Sequence, residues 1–280
     1  MTDEFSLDGS VSNYAVFGNP VKHSKSPQIH SLFAKQTGIK LFYQAIEVPI
    51  DNFSKSVKLF SSQGGKGLNI TVPFKEEAHS ICTTLTHRAE ISGSVNTIRF
   101  DEKSNAHGDT TDGQGFINDL TNNHGIDLQN KSILILGAGG SVRAILEPIC
   151  NQKPGSIIIS NRTVSRAGQL VEIFSDQGNI EAHSFSELSN HTFDLIINGT
   201  SLSLKGELPP IPETVINSNT CCYDLMYSDK DTIFMQWSRE QGAAKVLDGL
   251  GMLVEQAAES FLIWHGVKPE TASVINALRK

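Results

Sequence analysis

Cysteine is scarce in this chain: four residues in 280, Cys82, Cys150, Cys221 and Cys222, with no CxxC pair and no Cys/His spacing suited to a metal. That excludes a disulfide-stapled scaffold and a zinc-ribbon fold. Each cysteine lies in an apolar segment that reads as core, and reduced thiols in a cytoplasmic compartment fit best. Positive charge is also short, with 23 Lys and Arg against 30 Asp and Glu, a net charge of -7 and a pI near 5.7. Such a balance opposes broad binding to nucleic acid or anionic membrane, while leaving room for a local basic pocket. No apolar run approaches membrane-spanning length, and Met1–Ser10 is acidic and polar with no apolar stretch of the signal-peptide kind. The nine histidines show no metal-ligand spacing, and His23 and His265 read as structural residues; no metal is expected. Low-complexity segments and short-period repeats are missing too. What remains is a globular protein whose partner is a small molecule.

What is present is an alternating α/β rhythm on a chain long enough for two domains. In the first half, Tyr14–Phe17, Phe42–Val48, Gly67–Val72 and Val95–Phe100 read as strands, and Pro27–Gln36, Asn52–Phe60 and Gln114–Asn123 as helices. In the second half the strands fall near Ser132–Leu136, Ser156–Ser160, Phe193–Ile197, Thr220–Asp224 and Lys245–Leu247. Helices near Val142–Cys150, Val164–Phe174 and Thr232–Gln241 separate them. The pattern predicts an α/β fold whose second half is a nucleotide-binding unit. The polar stretch Asn122–Lys131 reads as a hinge. The last long helical stretch, Leu250–His265, has no strand after it, which predicts that it packs back on the first domain.

The strand Ile133–Leu136 runs into Gly137-Ala138-Gly139-Gly140 and then an apolar helix. This context aims backbone N–H groups and a positive helix end at a site where a pyrophosphate could sit. The third small position of such a turn is taken by Val142, which predicts a slightly wider turn. After the next strand, where an acidic residue usually receives the ribose 2′-hydroxyl of NAD, the chain reads Ser160-Asn161-Arg162-Thr163-Val164-Ser165-Arg166. With no carboxylate there, and with two guanidinium groups one helical turn apart, the segment favours a 2′-phosphate and hence NADP(H).

Ser24 and Ser26, two residues apart in a segment that Pro27 biases towards extension, turn their hydroxyls to one side, where they suit a carboxylate or polyol. Ser26 reads equally well as an N-cap for the helix that Pro27 opens. Asn69 and Thr71 share one strand face, Pro73 ends the ladder, and Lys75 follows near the strand's carboxyl end, where open α/β sheets bind ligands. On these residues alone Lys75 also reads as a surface lysine, Asp112 as a helix cap and Asn96 as a turn residue.

Taken in order, Gly18-Asn19-Pro20, Ser24-Lys25-Ser26-Pro27-x-x-His30, Asn69-Ile70-Thr71-Val72-Pro73-Phe74-Lys75, Gly93-Ser94-Val95-Asn96-Thr97, Thr111-Asp112-Gly113, Gly137-Ala138-Gly139-Gly140, Asn161-Arg162-Thr163, Tyr223-Asp224-Leu225-Met226-Tyr227 and Asp248-Gly249-Leu250-Gly251 through Gln256-Ala257 resemble the bacterial shikimate dehydrogenases. The resemblance runs from about Tyr14 to Leu278. It implies NADP-dependent interconversion of shikimate and 3-dehydroshikimate in chorismate biosynthesis. It also implies a discontinuous substrate-binding domain, residues 1–112 and 254–280, facing an NADP-binding Rossmann-like domain, residues 113–253, across a cleft that closes on the ligands. By the same resemblance Lys75 and Asp112 are the catalytic pair, and Ser24, Ser26, Thr71, Lys75, Asn96, Asp112, Tyr227 and Gln256 bind the substrate. Gly137, Ala138, Gly139, Gly140, Ser141, Asn161, Arg162, Thr163, Arg166, Leu225 and Gly249 would then bind the cofactor, in a monomer or homodimer. Four departures stand out: Thr110 where the family has Asn, Ser141-Val142 in place of smaller residues, Asn198-Gly199-Thr200 in place of Asn-Ala-Thr with no following glycine, and Leu225-Met226. Two other readings share these motifs: a quinate/shikimate dehydrogenase using NAD, which Arg162 opposes, and a non-catalytic NADP-binding regulator, which has no need of Lys75 with Asp112.

Overall fold

The computed structural model of the chain describes Phe5, residues 7–228 and residues 230–279, so that residues 1–4 and 6 of the polar Met1–Ser10 segment lie outside the described part. In chain order the first elements are β1 (Ser12–Gly18), α1 (Ser26–Thr37), β2 (Leu41–Glu47), α2 (Phe53–Ser62), β3 (Gly65–Ile70) and α3 (Lys75–Ile81). They are followed by β4 (Thr84–Leu85), α4 (His87–Ser92), β5 (Thr97–Phe100), β6 (Ala106–Asp109) and α5 (Asp112–Asn118). Next come β7 (Ser132–Leu136), α6 (Gly140–Asn151), β8 (Ser156–Ser160), α7 (Val164–Phe174), β9 (Ile180–His183) and β10 (Leu195–Asn198). The chain ends with β11 (Cys221–Asp224), α8 (Ile233–Glu240), β12 (Lys245–Leu247), α9 (Leu250–His265) and α10 (Ala272–Leu278). These elements form two compact units, Met1–Gly115 with Val254–Lys280, and Phe116–Leu253. The chain passes between them inside α5 and again inside α9, not at the Asn122–Lys131 stretch, which belongs wholly to the second unit.

The first unit carries a mixed six-stranded sheet in the order β2-β1-β3-β5-β6-β4. Strands β1, β2 and β3 pair in parallel, whereas β5 is antiparallel to both β3 and β6. Strand β3 sits inside this sheet, and Gly67–Ile70 is buried throughout. Helix α2 turns Phe53, Val57 and Phe60, spaced four and three residues apart, onto a core shared with Phe17, Leu68, Phe74 and Ile98. A second cluster gathers Tyr14, Val16, Val21 and Tyr43 against Trp264 of α9, whose ring stacks on Tyr14 at 4.6 Å. Among these rings lies His30, fully buried and stacked on Tyr43 at 4.2 Å. Neither of its ring nitrogens has a hydrogen-bond partner among the described residues. Burial pushes its pKa down to about 3.

Several boundaries differ from the sequence reading for local reasons. Strand β5 begins at Thr97, and before it Val95 N donates to Lys75 O at the start of α3 and not to a neighbouring strand. Strand β3 ends at Ile70, before the cis Val72–Pro73 bond. Helix α5 starts at Asp112 and widens to π-type winding over Asp119–Asn123. Helix α1 begins one residue before Pro27 with Lys25 as its N-cap residue, and no side chain caps it. The Ser26 cap is therefore not formed, and Lys25, at φ -80° and ψ -5°, turns a segment expected to be extended.

The second unit is a fully parallel sheet in the order β12-β11-β10-β7-β8-β9. This is the doubly wound order, with its topological switch between β7 and β10. Residues 133–136 are entirely buried, as a strand covered on both faces requires. Close to the switch point, a Cβ on Gly199, just past β10, would lie 2.4 Å from Val142 Cγ2 on α6. The extra bulk of Val142 is therefore accommodated by the missing methyl at position 199, so two departures noted in the sequence are complementary halves of one contact. At the ends of β10 and β11, Asp224 is fully buried and accepts from Thr232 Oγ1 at 2.6 Å, Ser203 Oγ at 3.0 Å, Met226 N at 3.1 Å and Asn198 Nδ2 at 3.2 Å. Burial raises its carboxyl pKa, and those four donors act in the opposite direction.

Two expectations follow. Gly199→Ala should destabilise the protein by about 1–3 kcal/mol through overpacking. Adding Val142→Ala should recover much of that loss, so urea unfolding should give a double-mutant cycle far from additive; additive costs would contradict the contact. For His30 the unfolded chain takes up a proton below about pH 6.5 while the folded protein resists it down to about pH 3. Stability should therefore fall by up to about 1.4 kcal/mol per pH unit as pH drops through that window. His30→Phe should flatten that slope, and an unchanged slope would contradict the assignment.

Candidate active site

Lys75 opens α3, five residues past the end of β3, and Asp112 opens α5 after the short loop that follows β6. Their side chains meet with Lys75 Nζ 2.5 Å from Asp112 Oδ2, and both are mostly shielded, at 16% and 8% side-chain exposure. The other carboxylate oxygen of Asp112 accepts from Asn96 Nδ2 at 2.7 Å. Asn96 is itself 2% exposed and is held on both sides. Its Oδ1 accepts from Thr111 N at 2.8 Å, and its Nδ2 also reaches Thr111 Oγ1 at 2.9 Å and Gln256 Oε1 at 3.2 Å. Asn96 and Asp112 thus serve the ion pair, and neither is a simple turn or cap residue.

Gln256 comes from α9, which lies against α5 closely enough that a Cβ on Gly115 would sit 2.6 Å from Gln256 N. Glycine at 115 is what lets the two helices approach at this point. One turn further along α9, Ser260 Oγ lies 3.0 Å from Asn69 Nδ2, 2.8 Å from Thr97 Oγ1 and 3.2 Å from Thr111 Oγ1. Asn69 Oδ1 in turn accepts from Tyr43 Oη at 2.7 Å, and the Ser26 hydroxyl also bonds to Tyr43. A continuous buried relay therefore runs from Ser26 through Tyr43, Asn69, Ser260 and Thr111 to Asn96, Asp112 and Lys75. Nearly every polar atom in it is matched, as burial requires.

Of the residues singled out in the sequence, Ser26, Asn96, Asp112, Lys75 and Gln256 are joined by this relay. Ser24 and Thr71 stay outside it: Ser24 Oγ accepts from Ser26 N at 3.3 Å, and Thr71 is fixed through its backbone, Thr71 N donating to Phe17 O at 2.9 Å. Tyr227 belongs to the second unit, on the segment after β11, where it lines a depression of about 430 Å³ with Met226, Ser203 and Thr232. The sequence reading missed Ser260 and gave Thr97 and Tyr43 no role. The available signal was the spacing of Gln256 and Ser260, four apart on one face of α9, although Glu255 and Glu259 repeat the same spacing beside them.

In the second unit, Gly139 is the N-cap residue of α6 and no side chain caps this end. Nothing lies within 4 Å of where a Cβ on Gly139 or Gly140 would sit, so open space remains above the first N–H groups of a twelve-residue helix. Leu225 and Gly249 meet at the same end of the sheet: a Cβ on Gly249 would sit 2.2 Å from Leu225 O, and Leu225 Cδ1 lies 3.3 Å from the Cβ position of Gly199. Asn161 Nδ2 donates to Thr163 O at 2.9 Å and shapes the turn into α7. Arg162 and Arg166 are exposed there, and among the described residues neither has an ion-pair partner. An open helix end and two uncompensated guanidinium groups suit a phosphorylated dinucleotide. Among the described residues no group of three His, Cys, Asp or Glu side chains could hold a metal ion, and no helix is long and apolar enough to cross a membrane.

Comparison with known proteins agrees with this architecture. Residues 16–98 match the shikimate dehydrogenase substrate binding domain, residues 119–205 the shikimate / quinate 5-dehydrogenase family and residues 249–279 the shikimate 5'-dehydrogenase C-terminal domain. The chain is similar to shikimate dehydrogenase (NADP(+)) of Alkalilimnicola ehrlichii, 53% identical over 96% of this chain and 99% of that one. Among solved structures, an Ael1 enzyme from Pseudomonas putida superposes with a TM-score of 0.91 at 40% identity, covering 96% of this chain and 98% of that one. Shikimate 5-dehydrogenase from Thermus thermophilus, solved in complex with NADP(H) and shikimate, gives a TM-score of 0.85 at 29% identity, covering 96% and 99%. With half of its residues shared over nearly its full length, the chain belongs to the shikimate dehydrogenase family.

Proposed function

We propose that this protein is a shikimate dehydrogenase that reversibly reduces 3-dehydroshikimate to shikimate with NADPH, in the cytoplasm, as a monomer or homodimer. The observation that carries the reading is the Lys75–Asp112 ion pair, braced by Asn96 and Gln256. A regulator that only senses a dinucleotide has no use for such a pair. The four cysteines, all free, fit a reducing compartment.

The bound dinucleotide supplies the hydride for ketone reduction and takes it back on oxidation. In the reducing direction, charge develops on the substrate oxygen, and Lys75 Nζ holds the proton that this oxygen takes up. In the oxidising direction the amine receives that proton. Asp112 keeps the ammonium oriented through Oδ2 while Asn96 fixes Oδ1, so the carboxylate is aligned before substrate arrives. Ser24 and Ser26 receive the substrate carboxylate, and Thr71, Asn96, Gln256 and Tyr227 take the polyol. On the second unit, the N–H groups at Gly139, Gly140 and Ser141 hold the pyrophosphate. Asn161, Thr163, Arg162 and Arg166 receive the adenosine end with its 2′-phosphate, while Gly137, Ala138, Leu225 and Gly249 shape the wall beside the nicotinamide.

Lys75→Ala should lower kcat for shikimate oxidation by about 10²–10⁴-fold, the usual worth of a positioned acid or base, while NADP binding followed by fluorescence stays unchanged. Near-normal turnover by the folded variant would contradict the assignment.

A further inference from the structure

The loop that delivers Thr111 and Asp112 to the relay is tied down at its start by a contact outside it. Asp109, the last residue of β6, is buried at 8% exposure and carries a charge that must be matched. Arg88 of α4 grips it with two parallel bonds, Nε to Oδ1 at 2.6 Å and Nη2 to Oδ2 at 2.8 Å. Thr86 Oγ1 and Thr110 N, both at 2.7 Å, complete the coordination of Oδ1. Bidentate geometry on a shielded carboxylate is the strong form of this interaction, unlike an exposed ion pair.

The clamp also closes a frame. From Arg88 the chain runs through the end of α4 and Gly93-Ser94-Val95 to Asn96, whose N donates to Asp109 O at 3.0 Å and whose side chain bonds Thr111 and Asp112. Inside the frame, the Thr110 hydroxyl is buried with no hydrogen-bond partner among the described residues, so this side chain adds no polar tie to the loop from within them. The charged tie therefore falls to Arg88 and Asp109, with only neutral bonds between them and Asp112.

Resting on the function proposed above, we infer that Arg88 is a positioning residue for the reaction: through Asp109 it sets the angle at which the 110–112 loop presents the Asp112 carboxylate to Lys75. Its fork closes on Asp109 and not on the Lys75–Asp112 pair itself, so its removal should misplace proton transfer more than substrate capture.

The test is steady-state shikimate oxidation with NADP by the parent protein, Arg88→Ala and Arg88→Lys, each checked for folding by circular dichroism. Expected are a roughly tenfold or greater loss of kcat in Arg88→Ala, a shikimate KM within about threefold of the parent and an intermediate kcat in Arg88→Lys, which keeps the charge but not the fork. A kcat within twofold of the parent in folded Arg88→Ala, or a loss carried by KM, would overturn the inference. Should Arg88→Ala not fold, Arg88→Lys decides alone, with a kcat loss of about threefold or more expected and parent-like turnover overturning it. Failure of the parent itself to oxidise shikimate would count against the function and would be seen before any variant is compared.

Discussion

A mostly shielded ammonium and a nearly buried carboxylate, 2.5 Å apart, are the constraint around which the first unit is organised. Charges removed from water to this extent persist only where their remaining bonding capacity is met. Asn96 meets it on one oxygen, and Asn96 must then be held by Thr111 and Gln256. The demand spreads outward through Ser260 and Asn69 to Tyr43 and Ser26. This explains why α9 returns to the first unit after its opening turn and why glycine occupies position 115, where any side chain would meet Gln256.

The second unit answers a different demand. Its central strands β7, β8 and β10 are mainly apolar, and at their carboxyl ends lie an open helix end after β7 and a tight approach of the segments after β7, β10 and β11. The side chains near that end serve packing and loop anchoring, Val142 against Gly199 and Asp224 against three loop donors and Asn198. Arg162 and Arg166, at the turn into α7, are exposed and among the described residues have no ion-pair partner.

The parallel sheet was legible because its strands are short, apolar and separated by amphipathic helices: Ser132–Leu136, Ser156–Ser160, Lys245–Leu247 and the helix Val164–Phe174 stand where their sequences put them. The mixed sheet was less so. Strands β4 and β6 are two and four residues long and carry Thr84, His107 and Asp109, polar residues whose strand conformation comes from their neighbours in the sheet. Helix α3, behind Pro73 and beginning at Lys75, has only Ala78 as a fully buried residue and so leaves little apolar periodicity. The unit boundaries fall inside the continuous helices α5 and α9, not at the polar Asn122–Lys131 stretch that reads as a hinge. At the site, Lys75, Asp112, Asn96 and Gln256 were found through motif resemblance. Ser260 and the Arg88–Asp109 clamp depend on contacts between residues 21 to 191 positions apart, which spacing along one chain does not reveal.

The Lys75–Asp112 pair is proposed to move the proton, and Arg162 and Arg166 to favour the 2′-phosphate of NADP(H), in a shikimate dehydrogenase. The most direct measurement is the initial rate of shikimate oxidation by the purified protein, followed at the reduced-nicotinamide absorbance with NADP and NAD in parallel. Strong turnover with NADP and little with NAD is predicted; NADP binding with no turnover of shikimate, or equal rates with NAD, would contradict the account.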